Sequence, residues 1–230
     1  MKKKQTFFIL AICFLLFQQA AAQDFWMQKS YKRWTKEEIV KLISDSPWAQ
    51  VVGDTTNAQV FEASYVTVRL RSAVPIRQAL VRLKQIEANY DKFDKDKKAE
   101  FDEKMKGALD CPACQENYVI AISPPISDRQ IKSAVFSLVN IKFEQIKDTV
   151  YLLNDKGEKR KLIFFQPALS NDGEATLFFP RLDEKGNKFL TGESKTLTLI
   201  FEKKGASNFQ IPKSTKFDIS KMLIDGNVEF

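Results

Sequence analysis

The chain has 230 residues, with 36 Lys+Arg against 29 Asp+Glu, three cysteines and no histidine. The missing imidazole excludes a Ser-His-Asp triad, a Cys-His pair, His-bearing zinc sites, haem attachment through C-x-x-C-H and a histidine pH switch. A hydrophobic share of 44% beside 28% charged residues is an ordinary globular balance, so composition restricts the chemistry without naming a function.

The first 22 residues read as a secretory signal peptide. Lys2, Lys3 and Lys4 form a positive start, and Phe7 to Phe17 is an unbroken apolar run of eleven residues. That run is too short for a membrane span, which needs about 20. Ala20, Ala21 and Ala22 supply the small residues of a cleavage site, with the cut expected after Ala22. Cys13 follows Ile12 inside the apolar run, which does not fit a lipoprotein anchor. Losing three lysines with the peptide takes the net charge from +7 to +4 over the remaining 208 residues. So mild a surplus does not point to nucleic acid. No later segment is apolar enough to span a membrane, so the expectation is a soluble, exported protein (periplasmic or extracellular). The lysine-led peptide points to a bacterial source.

The remaining chain divides by pattern into residues 23–140 and 141–230. All three tryptophans lie early, whereas eleven of the fifteen later phenylalanines lie from Phe136 onward. The first part carries helix signals. Thr35-Lys-Glu-Glu38 fits a capping box, followed by Ile39, Leu42 and Ile43 at helical spacing, and Pro47 closes the segment. Val60 to Arg71 predicts a strand, since Val66, Val68 and Leu70 alternate with Tyr65, Thr67, Arg69 and Arg71. Pro75 opens the longest helical pattern, through Ile76, Leu80, Leu83, Ile86, Tyr90 and Phe93. Phe101 and Met105 keep the spacing, which reads as one long helix or as two with a break near Asp94, and Gly107 offers a stop. A strand is expected from Asn117 to Ser123, then a short helix after the box Ser127-Asp-Arg-Gln130, with Val135 and Leu138 on its face.

From Ile141 the pattern changes to strands. Thr149–Leu153 and Lys161–Phe165 flank the turn signal Asn154-Asp-Lys-Gly157. Ala175–Phe179 and Thr196–Phe201 follow, and a last pair is expected at Lys216–Ile219 and Val228–Phe230, with a turn at Asp225-Gly-Asn227. The fold class read from this order is α+β: a helical N-terminal half packed on a C-terminal antiparallel sheet or small β-sandwich, the two parts sharing one core. The adjacent pairs Phe164-Phe165 and Phe178-Phe179 place one ring on each sheet face, and the first-half helices are expected to cover the second face.

The one local constellation with chemical potential is Cys111-Pro-Ala-Cys114. In an exported protein two such cysteines are expected to be oxidised to a local structural disulfide. The alternative is a thiol-disulfide redox pair. A redox motif of that kind follows a strand and opens a helix, whereas this one follows a helix and precedes a strand. Zinc would need two further ligands that only carboxylates or a second chain could supply, so no metal is expected. Asp91, Asp94 and Asp96 miss the spacing of a calcium loop and lie among lysines, which suits a solvated helix face. No glycine-rich phosphate loop or nucleophile motif is present, and no cofactor is expected. Trp26, Trp34 and Trp48 either pack the first helix onto the body or form an aromatic cluster that binds a partner. The function expected is that of a non-catalytic protein binding or supporting another envelope or extracellular component.

Overall fold

A computed structural model of the protein describes residues 24–54, 64–126, 134–202 and 211–230. The expected signal peptide and the Ser127–Gln130 capping box lie outside these residues.

The described chain opens with the short helix α1 (Phe25–Gln28) and a 3-10 turn at Tyr31–Arg33. Helix α2 (Lys36–Ser44) starts where the sequence places it. The Thr35 hydroxyl accepts from the Glu38 N–H at 3.3 Å, and the Glu38 carboxylate accepts from the Thr35 N–H at 2.8 Å, which closes the capping box. Ile39, Leu42 and Ile43 form its fully buried face.

Strands β1 (Asp45–Ser46), β2 (Ala49–Asp54) and β3 (Ser64–Leu70) follow. Helix α3 (Val74–Glu87) carries Pro75 in its first turn, where the missing N–H costs nothing. A 3-10 turn at Tyr90–Lys92 leads to α4 (Lys95–Asp110), so the long pattern is two helices with the break at Asp94. Asp94 is the N-cap, accepting from the Lys97 N–H at 2.8 Å. The helix does not stop at Gly107. It runs to Asp110 and ends where Cys111 turns left-handed at φ 41°. Helix α5 (Pro112–Glu116) then leads directly into β4 (Asn117–Ser123).

The second part holds a 3-10 turn at Ala134–Leu138, where an α-helix was expected, and the short α6 (Phe143–Ile146). Its strands are β5 (Val150–Asn154), β6 (Lys159–Lys161), β7 (Phe164–Gln166), β8 (Ala175–Pro180), β9 (Thr196–Phe201) and β10 (Ser214–Asp218). A 3-10 turn at Ile219–Lys221 precedes the small hairpin β11 (Leu223–Ile224) and β12 (Asn227–Val228). The turn signal at Asp225-Gly-Asn227 is in place, with Asp225 and Gly226 both at positive φ as a tight hairpin needs. It joins β11 to β12, while β10 pairs with β9.

The strands form a six-stranded sheet in the order β1-β2-β3-β4-β8-β7, a four-stranded sheet β10-β9-β5-β6 and the hairpin, all antiparallel. The fold is thus mixed α+β. The helices, however, are spread along the chain, and the larger sheet is built from both parts. β4 pairs with β8, setting Ile120 opposite Leu177 and Tyr118 opposite Phe179. The expected strand Lys161–Phe165 is in fact two strands in different sheets, β6 beside β5 and β7 beside β8.

Register explains the core. One face of the large sheet carries Val66, Val68, Leu70, Tyr118, Ile120, Ile122, Leu177 and Phe179, all buried and in one hydrophobic cluster with Ile39, Leu42 and Ile43 of α2. Leu152, Leu197, Leu199, Phe201 and Phe217 of the smaller sheet belong to the same cluster. The other face of the large sheet is more polar, with Thr67, Arg69 and Thr176 buried. At its edge Phe164 remains 55% exposed against Phe178, with ring centroids 5.3 Å apart, so the expected helix cover does not reach this spot. No helix among the described residues is long and apolar enough to cross a membrane.

Candidate functional site

Cys111 and Cys114 form a disulfide with Cα atoms 5.2 Å apart. The motif does not run straight from helix to strand. Cys111 caps the five-residue α5, and the Cys114 N–H donates to the Cys111 carbonyl at 2.8 Å. Pro112 at the first helical position and the brevity of the turn conceal this helix from periodicity. Cys111 is partly exposed, whereas Cys114 is 3% exposed.

Cys114 also walls a concave site of about 350 Å³, with Ser72, Arg77, Gln115, Arg181, Val228, Glu229 and Phe230. Four elements converge here. Ser72 lies between β3 and α3, Arg77 is on the first turns of α3, Arg181 follows β8, and residues 228–230 end the β11–β12 hairpin. Arg181 is fixed on three sides. Its Nε donates to the Cys114 carbonyl at 2.9 Å, an Nη donates to a main-chain oxygen of Phe230, the last residue of the sequence, and the guanidinium lies over the Tyr118 ring at 4.7 Å. Arg77 donates from one Nη to the carbonyls of Leu109 and Asp110 at the end of α4. Its Nε is buried with no hydrogen-bond partner among the described residues. Burial holds the Arg77 guanidinium below its usual range; Glu229 and Asp110 oppose this, and nearby Arg181 adds to it by repulsion. Arg181 is lowered chiefly by burial as well, against the pull of Tyr118 and Glu229.

Two polar features of the wall bear on what it can hold. Ser72 is 2% exposed and its hydroxyl has no hydrogen-bond partner among the described residues. Glu229 contributes a carboxylate, one oxygen of which accepts from the Val74 N–H at 3.0 Å. Among the described residues neither arginine has an Asp or Glu carboxylate within ion-pair distance.

The three tryptophans come together through Phe25. Its ring meets Trp26 at 5.0 Å and Trp34 at 5.7 Å, edge to face, and Trp26 meets Trp48 at 5.6 Å. They are 9%, 2% and 0% exposed respectively, so little ring surface faces solvent. The Trp34 indole donates to the Lys29 carbonyl at 3.1 Å and that of Trp48 to the Glu229 carbonyl at 2.6 Å. A cavity of about 130 Å³ borders Trp26 and Trp34, and Glu229 lies between it and the larger site.

Asp91 and Asp94 are engaged elsewhere: Asp91 pairs with Arg82 at 3.2 Å and Asp94 caps α4. Among the described residues no cluster of three or more His, Cys, Asp or Glu is placed to hold a metal ion. The arginine site itself had no sequence signal, because Ser72, Arg77, Arg181 and Glu229 share no local spacing. Only a residue-by-residue account of buried charge in the folded chain finds it. Compared with protein-family models, with curated proteins and with solved structures, the chain matches none.

Proposed function

We propose that the protein is an exported, non-catalytic binding protein that receives part of another envelope or extracellular component at the Arg77–Arg181 site. The observation that carries this reading is the fixed posture of Arg181. Held by the Cys114 carbonyl and a main-chain oxygen of Phe230 and stacked on Tyr118, it lies in a pre-formed concavity beside Arg77. A pre-organised group pays little ordering entropy on binding, which suits recognition. In this reading the Cys111–Cys114 disulfide is structural, fixing the carbonyl that anchors Arg181. Export rests on the N-terminal segment and is supported by an oxidised cysteine pair.

A second reading, a thiol-disulfide redox protein, has one observation in its favour. The first cysteine is partly exposed at the start of a helical turn and the second is buried, as an attacking and a resolving thiol would be. Against it, a five-residue helix supplies only a weak dipole to lower the thiol pKa. One assay tests export and a second separates the two readings. N-terminal sequencing of the exported chain should begin at Gln23, and retention of residues 1–22 would contradict export by cleavage. Turnover of a small disulfide substrate under reducing conditions should not exceed background, and catalytic turnover would replace the binding reading with the redox one.

A further inference from the structure

We infer that the Arg77–Arg181 site binds an oxyanion group, a carboxylate or phosphate carried on a ligand with an apolar body. The inference rests on the binding reading above and names its ligand chemistry. Three independent features of the site lead to it.

The first is the charge of Arg77, which no ion pair among the described residues compensates and whose Nε is buried without a hydrogen-bond partner there. Arg77 and Arg181 line the same concavity and stand close enough to repel, with the Glu229 carboxylate as the single acid in the wall. No Asp or Glu carboxylate forms an ion pair with Arg77 among the described residues: Glu229 and Asp110 act on it only from a distance, and one Glu229 oxygen is engaged by the Val74 N–H, while Arg181 is already met by an oxygen of Phe230. A partly buried cation without a counter-ion is costly, and an incoming anion removes that cost. The second is the Ser72 hydroxyl, 2% exposed and unpaired in the wall. A buried hydroxyl without a partner is destabilising by itself, and an oxyanion supplies the acceptor it lacks. The third is the apolar part of the lining. Val228 and the Phe230 ring lie beside the arginines, and Arg181 stacks over Tyr118. That surface suits a hydrocarbon or aromatic body behind the anionic head.

The test is calorimetric titration of the full chain with sodium phosphate and, separately, sodium benzoate, each against sodium chloride at matched ionic strength. Saturable binding beyond chloride is expected for at least one of them. Phosphate alone would assign a phosphoryl ligand, and benzoate alone a carboxylate with an apolar body. R77Q should weaken the binding by about tenfold or more, as loss of a charged hydrogen-bond donor does. S72A should weaken it by about fivefold while leaving the unliganded protein as stable as before or more so, because it deletes an unpaired hydroxyl. That pairing of weaker binding with unreduced stability is a signature that a purely structural serine would not give. It also keeps the test decisive if R77Q fails to fold. Binding of neither anion beyond chloride, or binding unchanged in S72A, overturns the inference. If neither anion binds while the disulfide substrate is also not turned over, the ligand class is wrong and the non-catalytic reading stands. If an anion binds and turnover is seen, the site stands and the non-catalytic reading falls.

Discussion

The Trp48 indole donates to the Glu229 carbonyl at 2.6 Å, across 181 positions of sequence. This bond ties the turn after α2 to the final hairpin, and the same Glu229 offers its carboxylate to the start of α3. The end of the described chain is thereby held against its beginning, beside the arginine site. Trp48 is fully buried and packs edge to face on Trp26. Trp48→Phe keeps a ring but leaves a void and an unpaired buried carbonyl. A loss of about 2 kcal/mol is expected in urea unfolding. Because the bond positions residue 229, anion binding at the arginine site should weaken as well. Unchanged stability would show that the bond carries no load.

The pairing of β4 with β8 underlies a second expectation. We propose that residues 23–140 and 141–230 fold as one unit. Expressed alone, residues 141–230 would leave the inner edge of β8 unpaired and the ring of Phe179 uncovered. Such an edge invites aggregation. The fragment should be insoluble or unfolded by circular dichroism. A soluble fragment with a cooperative melt would contradict the proposal.

A buried charge on the polar face of the large sheet offers a third test. Arg69 has a side chain only 5% exposed; it donates to the Ile43 carbonyl and pairs with Glu174 at 3.4 Å. Arg71 bonds the other Glu174 oxygen. Burial lowers the Arg69 guanidinium from its usual range and Glu174 pulls it back. Glu174→Gln removes the counter-ion and leaves the buried charge. The loss should be about 2 kcal/mol, below the range for a fully buried pair because the Glu174 side chain is 23% exposed. Chemical denaturation measures it, and a loss within a few tenths would show that water reaches Arg69.

The capping box gives a dependence on pH. Burial pushes the Glu38 carboxyl upward, but its bonds to the Lys29 ammonium and the Thr35 N–H together outweigh this and hold it below the usual carboxylate range. A carboxylate depressed in the folded state stabilises above its unfolded value, and that contribution disappears as pH falls through the folded value. Glu38→Gln should therefore cost about 0.5–1 kcal/mol at neutral pH. The difference between variant and parent should close as the pH drops below the ordinary glutamate range. A gap that persists in acid would place the effect in packing instead of charge.

Local signals in the sequence gave local structure. The Thr35–Glu38 box, the alternation through Val66, Val68 and Leu70, the start at Pro75 and the Asn154–Gly157 turn all stand in the fold, and of the two readings of the long pattern the one with a break at Asp94 does. What periodicity could not carry is which strand meets which. Phe164 and Lys161 read as one strand, yet they belong to different sheets, because pairing is set by partners far away in sequence. The same limit hid the candidate site. Cys111 and Cys114 were visible as neighbours, but Ser72, Arg77 and Arg181 meet only through the pairing of β3, β4 and β8. The three tryptophans were legible as a group. Packing onto the body is one of their two readings, and the choice between the two depends on Phe25 and on the returning hairpin, which local spacing does not show.

We propose that Cys111–Cys114 supports a binding site and performs no exchange chemistry. The most direct measurement is reduction by dithiothreitol in the presence of an alkylating agent, followed by mass, for the native chain and for the chain in urea. The buried Cys114 and its carbonyl bond to Arg181 predict native reduction slower than in urea by on the order of tenfold or more. Native reduction as fast as in urea, with Cys111 alkylating as a low-pKa thiol, would contradict the account.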